Sequence, residues 1–328
     1  MKEKILRFIR DNNLITSKEK VILGVSGGPD SMCMLDILSK IQKDKKLEFE
    51  IIVAHINHMI RKEAVEDEEY VENYCNKRGI KCYIKRIDAV EYANNNKMGL
   101  EEAGRYIRYD FFDEVLKKES ADKIAIAHNK NDKAETIIMN LLRGSGLPGL
   151  KGIEPMRNNK YIRPILNLER WEIEKYCEDN NLNPRIDKTN FINDCTRNKI
   201  RNIVIPYVKK EFNPNIVENL NRLSKIISEE DLFIQKFMEN VYSKILIKES
   251  ENQIILDLKE FNRQEIVIKK RIIIYSIYRI LGTTQNVEMI NIDDLIKLCS
   301  NNIGNKYLKP NKNIKVLVNK GKIFFDKL

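Results

Sequence analysis

Apolar and polar positions fall into alternating blocks over the first two-thirds of the chain. Val21-Ile-Leu-Gly-Val25 is apolar without interruption and stops at Ser26-Gly-Gly-Pro-Asp-Ser31. After it, Leu35, Leu38 and Ile41 recur at helical spacing. Phe49–His58 has the same unbroken apolar centre, which fits a strand covered on both faces. Ile80–Ile84 and Lys123–His128 repeat the strand pattern. Helical patterns lie between these runs: an acidic one beginning near Glu63, one over Leu100–Phe112 and one over Asn131–Leu142. Ahead of them all, Ile5, Phe8 and Ile9 mark a short amphipathic helix. Strand and helix alternate throughout, which predicts an α/β fold with a doubly wound parallel sheet.

Beyond the last of these strands, Asn140–Gly152 is the most Gly-rich stretch, bracketed by Arg143 and Lys151, and reads as a mobile basic loop. A helix carrying Trp171 runs to about Asp179, followed by a polar stretch from Arg185 to Arg201. The break at Phe212-Asn-Pro-Asn215 marks the expected division into residues 1–212 and 213–328. The second part is expected to be smaller and mostly helical, with a long helix from Ile216 and another over Gln264–Leu281. Its tail alternates Lys with apolar residues, as short strands with a basic face do.

Composition narrows the class. No apolar run is long enough to span a bilayer, and the first ten residues are too charged for a secretory segment. The six cysteines are scattered without a C-x-x-C, which points to reduced thiols in a cytoplasm and away from a zinc or iron–sulfur site. Lys and Arg number 58 against 48 Asp and Glu, a net charge of +10 that suits a polyanionic partner such as nucleic acid. An AT-rich genome gives the same Lys-rich composition, so charge alone does not choose.

The chemistry concentrates at strand ends. The turn at residues 26–31 has the form of a phosphate-binding loop. Gly27 and Gly28 let backbone N–H groups approach a ligand oxygen, Ser26 and Ser31 add hydroxyls, and the helix opened by Pro29 and Asp30 directs its positive end to the same place. It fits neither G-x-x-x-x-G-K-[ST] nor G-x-G-x-x-G. The only three histidines, His55, His58 and His128, stand where strands run out, the position at which such sheets bind ligands. Arg105 and Arg108, and again Arg197 and Arg201, are spaced to share a helix face.

The turn resembles the SGGxDS loop of the N-type ATP pyrophosphatases, which implies an adenine nucleotide alpha hydrolase-like fold. Further motifs occur in order: His55-x-Asn57-His58-x-x-Arg61, Glu101-x-x-x-Arg105-x-x-Arg108-Tyr109, Arg143 to Leu150, Arg163 to Leu166, and Asp187-x-Thr189-Asn190 followed by Arg197-Asn198-x-x-Arg201. Together they are similar to the tRNA(Ile)-lysidine synthetase family, in its short form with one C-terminal domain, which implies a catalytic domain over residues 1–212 and a tRNA-binding domain over residues 213–328. In A-H-x-x-D-D-x-x-E-T the chain keeps His128, Asp132, Glu135 and Thr136 but has Asn131 for the first Asp.

The resemblance implies a cytoplasmic ligase that uses ATP and Mg²⁺. Its partners are tRNA(Ile) with a CAU anticodon, L-lysine and, left open, a second copy in a homodimer. Ser26, Gly27, Gly28, Pro29, Asp30, Ser31 and His55 would bind ATP, with Asp30 near the metal. Asp30, Asp132, Glu135 and His128 would be catalytic; Arg105, Arg108, Arg143, Arg197 and Arg201 would meet tRNA or the activated phosphate. A tRNA thiolase, a small-molecule ligase with the same loop, and an RNA-binding protein with an inactive nucleotide site are the competing readings. The first is disfavoured by the lack of paired cysteines, the second by the basic C-terminal part.

Overall fold

The computed structural model describes residues 1–44, 47–60, 64–185, 193–301 and 306–328. The chain forms two compact units, Met1–Lys225 and Ile226–Leu328. The division lies inside a long helix, beyond the turn at Phe212–Asn215.

In the first unit the order is α1 (Lys2–Asp11), β1 (Lys20–Gly24), α2 (Pro29–Lys43), β2 (Glu50–Asn57), α3 (Ala64–Asn76), β3 (Lys81–Arg86), α4 (Ala89–Asn96), α5 (Leu100–Glu119), β4 (Lys123–Ile126) and α6 (Lys130–Leu142). A short α7 (Leu147–Leu150), β5 (Met156–Arg157), β6 (Tyr161–Ile162), α8 (Arg170–Asp179) and α9 (Thr196–Lys199) follow. A π-helical turn over Ile200–Val204 then leads into α10 (Ile205–Glu211). The six strands lie in the order β3-β2-β1-β4-β6-β5, all parallel except the β5–β6 hairpin.

Alternate residues of the central strands feed two cores, as the period of a strand requires. Val21, Leu23 and Val53 face one side and pack with Ile5, Ile9, Leu35 and Leu38. Ile22, Ile52 and Ile124 face the other and pack with Phe111, Phe112 and Val115 of α5. Cover on both faces explains why these strands read as unbroken apolar runs. After β3 the chain crosses to the other side of β1, so β1 and β4 flank the switch point. There the connections part and leave a crevice at the strand ends.

The second unit takes up the chain within α11 (Ile216–Ile245) and continues through β7 (Leu246–Glu249), β8 (Gln253–Asp257), α12 (Leu258–Asn262), α13 (Ile266–Leu281), α14 (Met289–Ser300), β9 (Lys306–Asn311), β10 (Ile314–Asn319) and β11 (Lys322–Lys327). Its five strands form one sheet, β7-β8-β11-β10-β9, antiparallel throughout. Helix predominates there, as expected, and the basic tail supplies the last three strands. Ile254, Val316, Val318 and Phe325 point inward to Ile272, Ile277 and Leu295, giving the unit its own core.

Candidate active site

The turn after β1 is closed by its own side chains. Gly27 sits at φ +85, in the left-handed region that favours glycine. The Ser31 hydroxyl donates to the Gly28 carbonyl (3.0 Å) and accepts the Ser26 N–H (3.1 Å), while Ser26 Oγ lies 3.3 Å from Ser31 Oγ. Ser31 is therefore the brace of the loop. Pro29 enters α2 at its first turn, where no backbone donor is needed. At the end of β1, a Cβ on Gly24 would stand 2.4 Å from the Phe112 ring, so that ring packs directly on the backbone.

A cavity of about 470 Å³ opens over this loop. The loop forms one wall, the end of β2 with His55 and His58 a second, Arg108 and Phe112 of α5 a third, and His128 with Arg185 the rest. Burial differs in its effect on each histidine. His55 Nδ1 donates to the Val25 carbonyl (2.8 Å), which leaves Nε2 as an acceptor, buried and without a partner among the described residues. Burial lowers its pKa. His58 is brought down to about 4 by burial and then by Arg108, and its Nδ1 is also buried and has no partner among the described residues. His128 falls to about 3 through burial and then Arg163, whose Nε donates to His128 Nδ1 (3.2 Å). All three rings are neutral at pH 7, so they act there as hydrogen-bonding groups.

Behind the loop lies a lattice of charges. Asn129 caps α6 in a capping box: its Oδ1 accepts the Asp132 N–H (3.0 Å) and Asp132 Oδ2 accepts its N–H (3.0 Å). The same Asn129 gives its Nδ2 to Asp30 Oδ1 (2.9 Å). Arg197 and Arg201 both reach Asp132 Oδ1, at 3.2 and 3.0 Å, and both reach Glu135, whose closest contact is 2.6 Å from Arg201 Nε. Glu135 is 1% exposed and Asn129 not at all. Among the described residues the Asn129 amide is the one side-chain partner of Asp30; burial, and next the neighbouring Asp132, raise its pKa to about 6.

These contacts locate the residues expected from sequence. Ser26, Gly28, Pro29, Asp30, Ser31, His55, Arg108 and His128 line the cavity. Asp132, Glu135, Arg197 and Arg201 come together next to Asp30. Arg105 is exposed one turn from Arg108, with its guanidinium 5.3 Å from the Tyr109 ring centre. Arg143 is exposed at the end of α6 and does not line the cavity. The Gly-rich stretch after it holds the short helix α7, and none of its residues lines the cavity. Arg61, Asp187, Thr189 and Asn190 lie outside the described residues.

Sequence reasoning passed over Asn129 and Glu68, and quoted Arg163 in a motif without giving it a role. Asn129 joins the loop to the lattice, and its N-x-x-D capping pattern was the available signal. Arg163 fixes His128. Glu68 takes three bonds from Arg86 (2.8, 2.9 and 3.2 Å) and one from Asn57 (3.0 Å), which steadies the turn after β2. Asn131, where the motif has Asp, accepts the Arg170 N–H at 3.0 Å through Oδ1, a bond that a carboxylate oxygen would also make.

A serine-braced glycine loop at the switch point of a parallel sheet, facing a cavity lined by strand ends, defines a PP-loop protein. The family model of the PP-loop domain matches residues 1–208. Within that class the chain belongs to the tRNA(Ile)-lysidine synthase family. It is 43% identical over 320 residues to tRNA(Ile)-lysidine synthase of Clostridium acetobutylicum, covering 97% of this chain and 68% of that one. It is 46% identical over 299 residues to that of Clostridium perfringens, covering 91% and 63%. The chain thus spans somewhat under two-thirds of the length of the latter. Among solved structures, the U34-tRNA thiolase of Methanococcus maripaludis with its 4Fe–4S cluster shares the fold, at TM-score 0.54 and 22% identity over 68% of this chain and 78% of that one.

Proposed function

We propose that this chain joins L-lysine to the 2-position of the wobble cytidine in tRNA(Ile) with a CAU anticodon, at the cost of ATP. In this reading the cytidine 2-oxo group attacks the α-phosphate and pyrophosphate leaves. The ε-amine of lysine then attacks C2 and displaces AMP, giving lysidine. The product reads AUA in place of AUG and is charged with isoleucine in place of methionine. The observation that carries the reading is the braced loop facing a cavity with an unpartnered buried acceptor at His55, in a chain of this family.

The residues take roles that follow from their contacts. Gly27 and Gly28 N–H groups and the Ser26 hydroxyl hold the pyrophosphate, and Ser31 keeps the loop in shape. His55 accepts a hydrogen bond from the nucleotide, and Arg108 stands by the phosphate charge. Arg163 occupies His128 Nδ1, so His128 offers Nε2–H as a donor. An amine of ordinary pKa near about 10.4 must lose a proton before it attacks. Asp132 and Glu135, expected for that task, have every oxygen bonded and do not line the cavity; with Arg197 and Arg201 they support Asp30 from behind. Arg105 and Arg143, both exposed, are free to meet RNA phosphates.

Mg²⁺ fits this donor set. Asp30 lines the cavity beside the Gly-rich loop, and a hard divalent cation takes carboxylate and phosphate oxygens. Asp30, a carboxylate that burial and Asp132 oppose, is the side chain that would hold it. Bound there, the ion would neutralise phosphate charge.

The test is incubation of the full chain with ATP, Mg²⁺, labelled lysine and CAU-anticodon tRNA(Ile), with tRNA(Met) as control. Label confined to tRNA(Ile), with matching AMP, is the expected result. AMP without label would call for another nucleophile, and no AMP would favour a binding protein with an inactive site.

A further inference from the structure

The rim of the cavity beside the loop carries two carboxylates, an unexpected neighbour for a phosphate site. Glu66 and Asp67 stand in the first turn of α3. A Cβ on Gly27 would lie 3.5 Å from the Asp67 carbonyl oxygen and 3.7 Å from Asp67 Cβ, so α3 rests on the glycine turn itself. Asp67 lines the cavity, and its side chain is 14% exposed; that of Glu66, one residue earlier, is 60% exposed. Two negative charges in this place repel an arriving polyphosphate unless a cation offsets them.

Arg185 is that cation. Its backbone N–H donates to the Gly27 carbonyl (3.0 Å), and a Cβ on Gly28 would stand 3.8 Å from its carbonyl oxygen, which fixes its main chain across the loop. Its side chain lines the cavity, where Nε donates to Asp67 Oδ1 (3.3 Å) and Nη2 to Glu66 Oε2. The two contacts are unequal. The Asp67 carboxylate is enclosed, whereas that of Glu66 is in solvent, where an ion pair contributes little and is readily exchanged. A guanidinium fork can keep one partner on Nε and turn its terminal nitrogens to another anion.

We infer that Arg185 is a two-position latch for pyrophosphate: anchored on Asp67 through Nε, it passes its terminal nitrogens from Glu66 to phosphate oxygens at the loop when a polyphosphate binds, and Glu66 takes them back as pyrophosphate leaves. Glu66 is thus a competitor of the ligand. Without it, a guanidinium beside the loop would hold the product on two bonds and slow its release. The inference rests on the proposed reading of the loop as the holder of pyrophosphate and assigns a release device to that same site.

The experiment titrates the full chain with inorganic pyrophosphate and Mg²⁺ in a calorimeter, with lysine incorporation into tRNA(Ile) measured separately and melting temperatures checking that each variant folds. Arg185→Ala should weaken pyrophosphate binding on the order of tenfold. Glu66→Gln should tighten it about threefold, an effect of opposite sign at the same guanidinium. The variant carrying both changes decides the matter. It should bind as Arg185→Ala does, because the competition acts only through the arginine. Arg185→Lys, which keeps the charge without the fork, should recover part of the loss. Wild-type affinity in Arg185→Ala overturns the latch, as does unchanged or weaker binding in Glu66→Gln. So does a Glu66→Gln gain of equal size with and without Arg185, which would make Glu66 a repelling charge and nothing more. If wild-type chain binds no pyrophosphate, the latch and the reading of the loop fail together. If the variants behave as expected and no lysidine forms, the proposed function fails and the latch stands; lysidine formation without the coupling keeps the function and removes the latch.

Discussion

The cavity wall and the charge lattice behind it are a few residues apart and are built in opposite ways. In the lattice every carboxylate oxygen of Asp132 and Glu135 meets a donor, and the two arginines make two or more bonds each. On the wall, His55 Nε2 and His58 Nδ1 are buried with no partner among the described residues. Buried polar atoms without partners cost free energy, so the wall is the part that gains most when a ligand arrives. Asp30 joins the two regions. Its one side-chain bond ties it to the lattice, and its raised pKa belongs to the wall.

The comparison breaks most visibly in the lattice. Arg201→Ala leaves Glu135 and Asp132 with one arginine between them in a buried site, and should destabilise the unit by about 3–5 kcal/mol in urea unfolding. A loss under about 1 kcal/mol would mean that the lattice is solvated and that the contrast is false.

The next largest effect concerns Asp30. Asp30→Ala should abolish ATP-dependent AMP release while leaving tRNA binding largely intact. Asp30→Asn keeps the bond from Asn129 but removes the charge. A carboxyl raised from 3.8 to about 6 in the folded state binds its proton more tightly there than in the unfolded chain. Its contribution therefore lowers stability as pH rises between those values. Without nucleotide or divalent cation, Asp30→Asn should gain about 1–3 kcal/mol at pH 7.5 and nothing near pH 3.5. Thermal melts at the two pH values decide this.

On the wall, His55→Ala removes the unpartnered acceptor and the Val25 bond together. Stability should fall by about 1 kcal/mol, and KM for ATP should rise on the order of tenfold if one buried bond to the nucleotide is lost. An unchanged KM would remove His55 from the nucleotide site. The smallest effect is expected at Asn131. Asn131→Asp keeps an oxygen for the Arg170 N–H and should change stability by less than about 0.5 kcal/mol. Asn131→Ala should cost about 1 kcal/mol. Full activity in both variants would show that the motif's first Asp serves α8 and not the chemistry.

Much of the fold was legible because β1, β2 and β4 are covered on both faces, and such strands announce themselves as apolar runs. The loop was legible because Gly27 and its neighbours are restricted by backbone geometry, which leaves a mark on residue type. The partners of the charged residues were not. Spacing puts Arg197 and Arg201 on one helix face but does not say what that face meets. That α6 presents Asp132 and Glu135 to it is a matter of tertiary packing. Likewise, nothing local distinguishes the exposed Arg143 from the cavity-lining Arg108. The division of the chain inside α11 leaves no local mark either, since a helix crossing two units keeps one periodicity.

The close approach of Phe112 to Gly24 has a consequence for descent. The ring lies where a side chain at position 24 would begin, so the two positions behave as a single inherited character. A lineage can add a methyl group at 24 only by first, or simultaneously, accepting a smaller residue at 112. Each change alone is unfavourable, one by collision and the other by an emptied cavity floor. Homologues of this chain should therefore carry the pair or exchange both members together, and a survey that finds them varying independently would show that the floor of the cavity is softer than the packing implies.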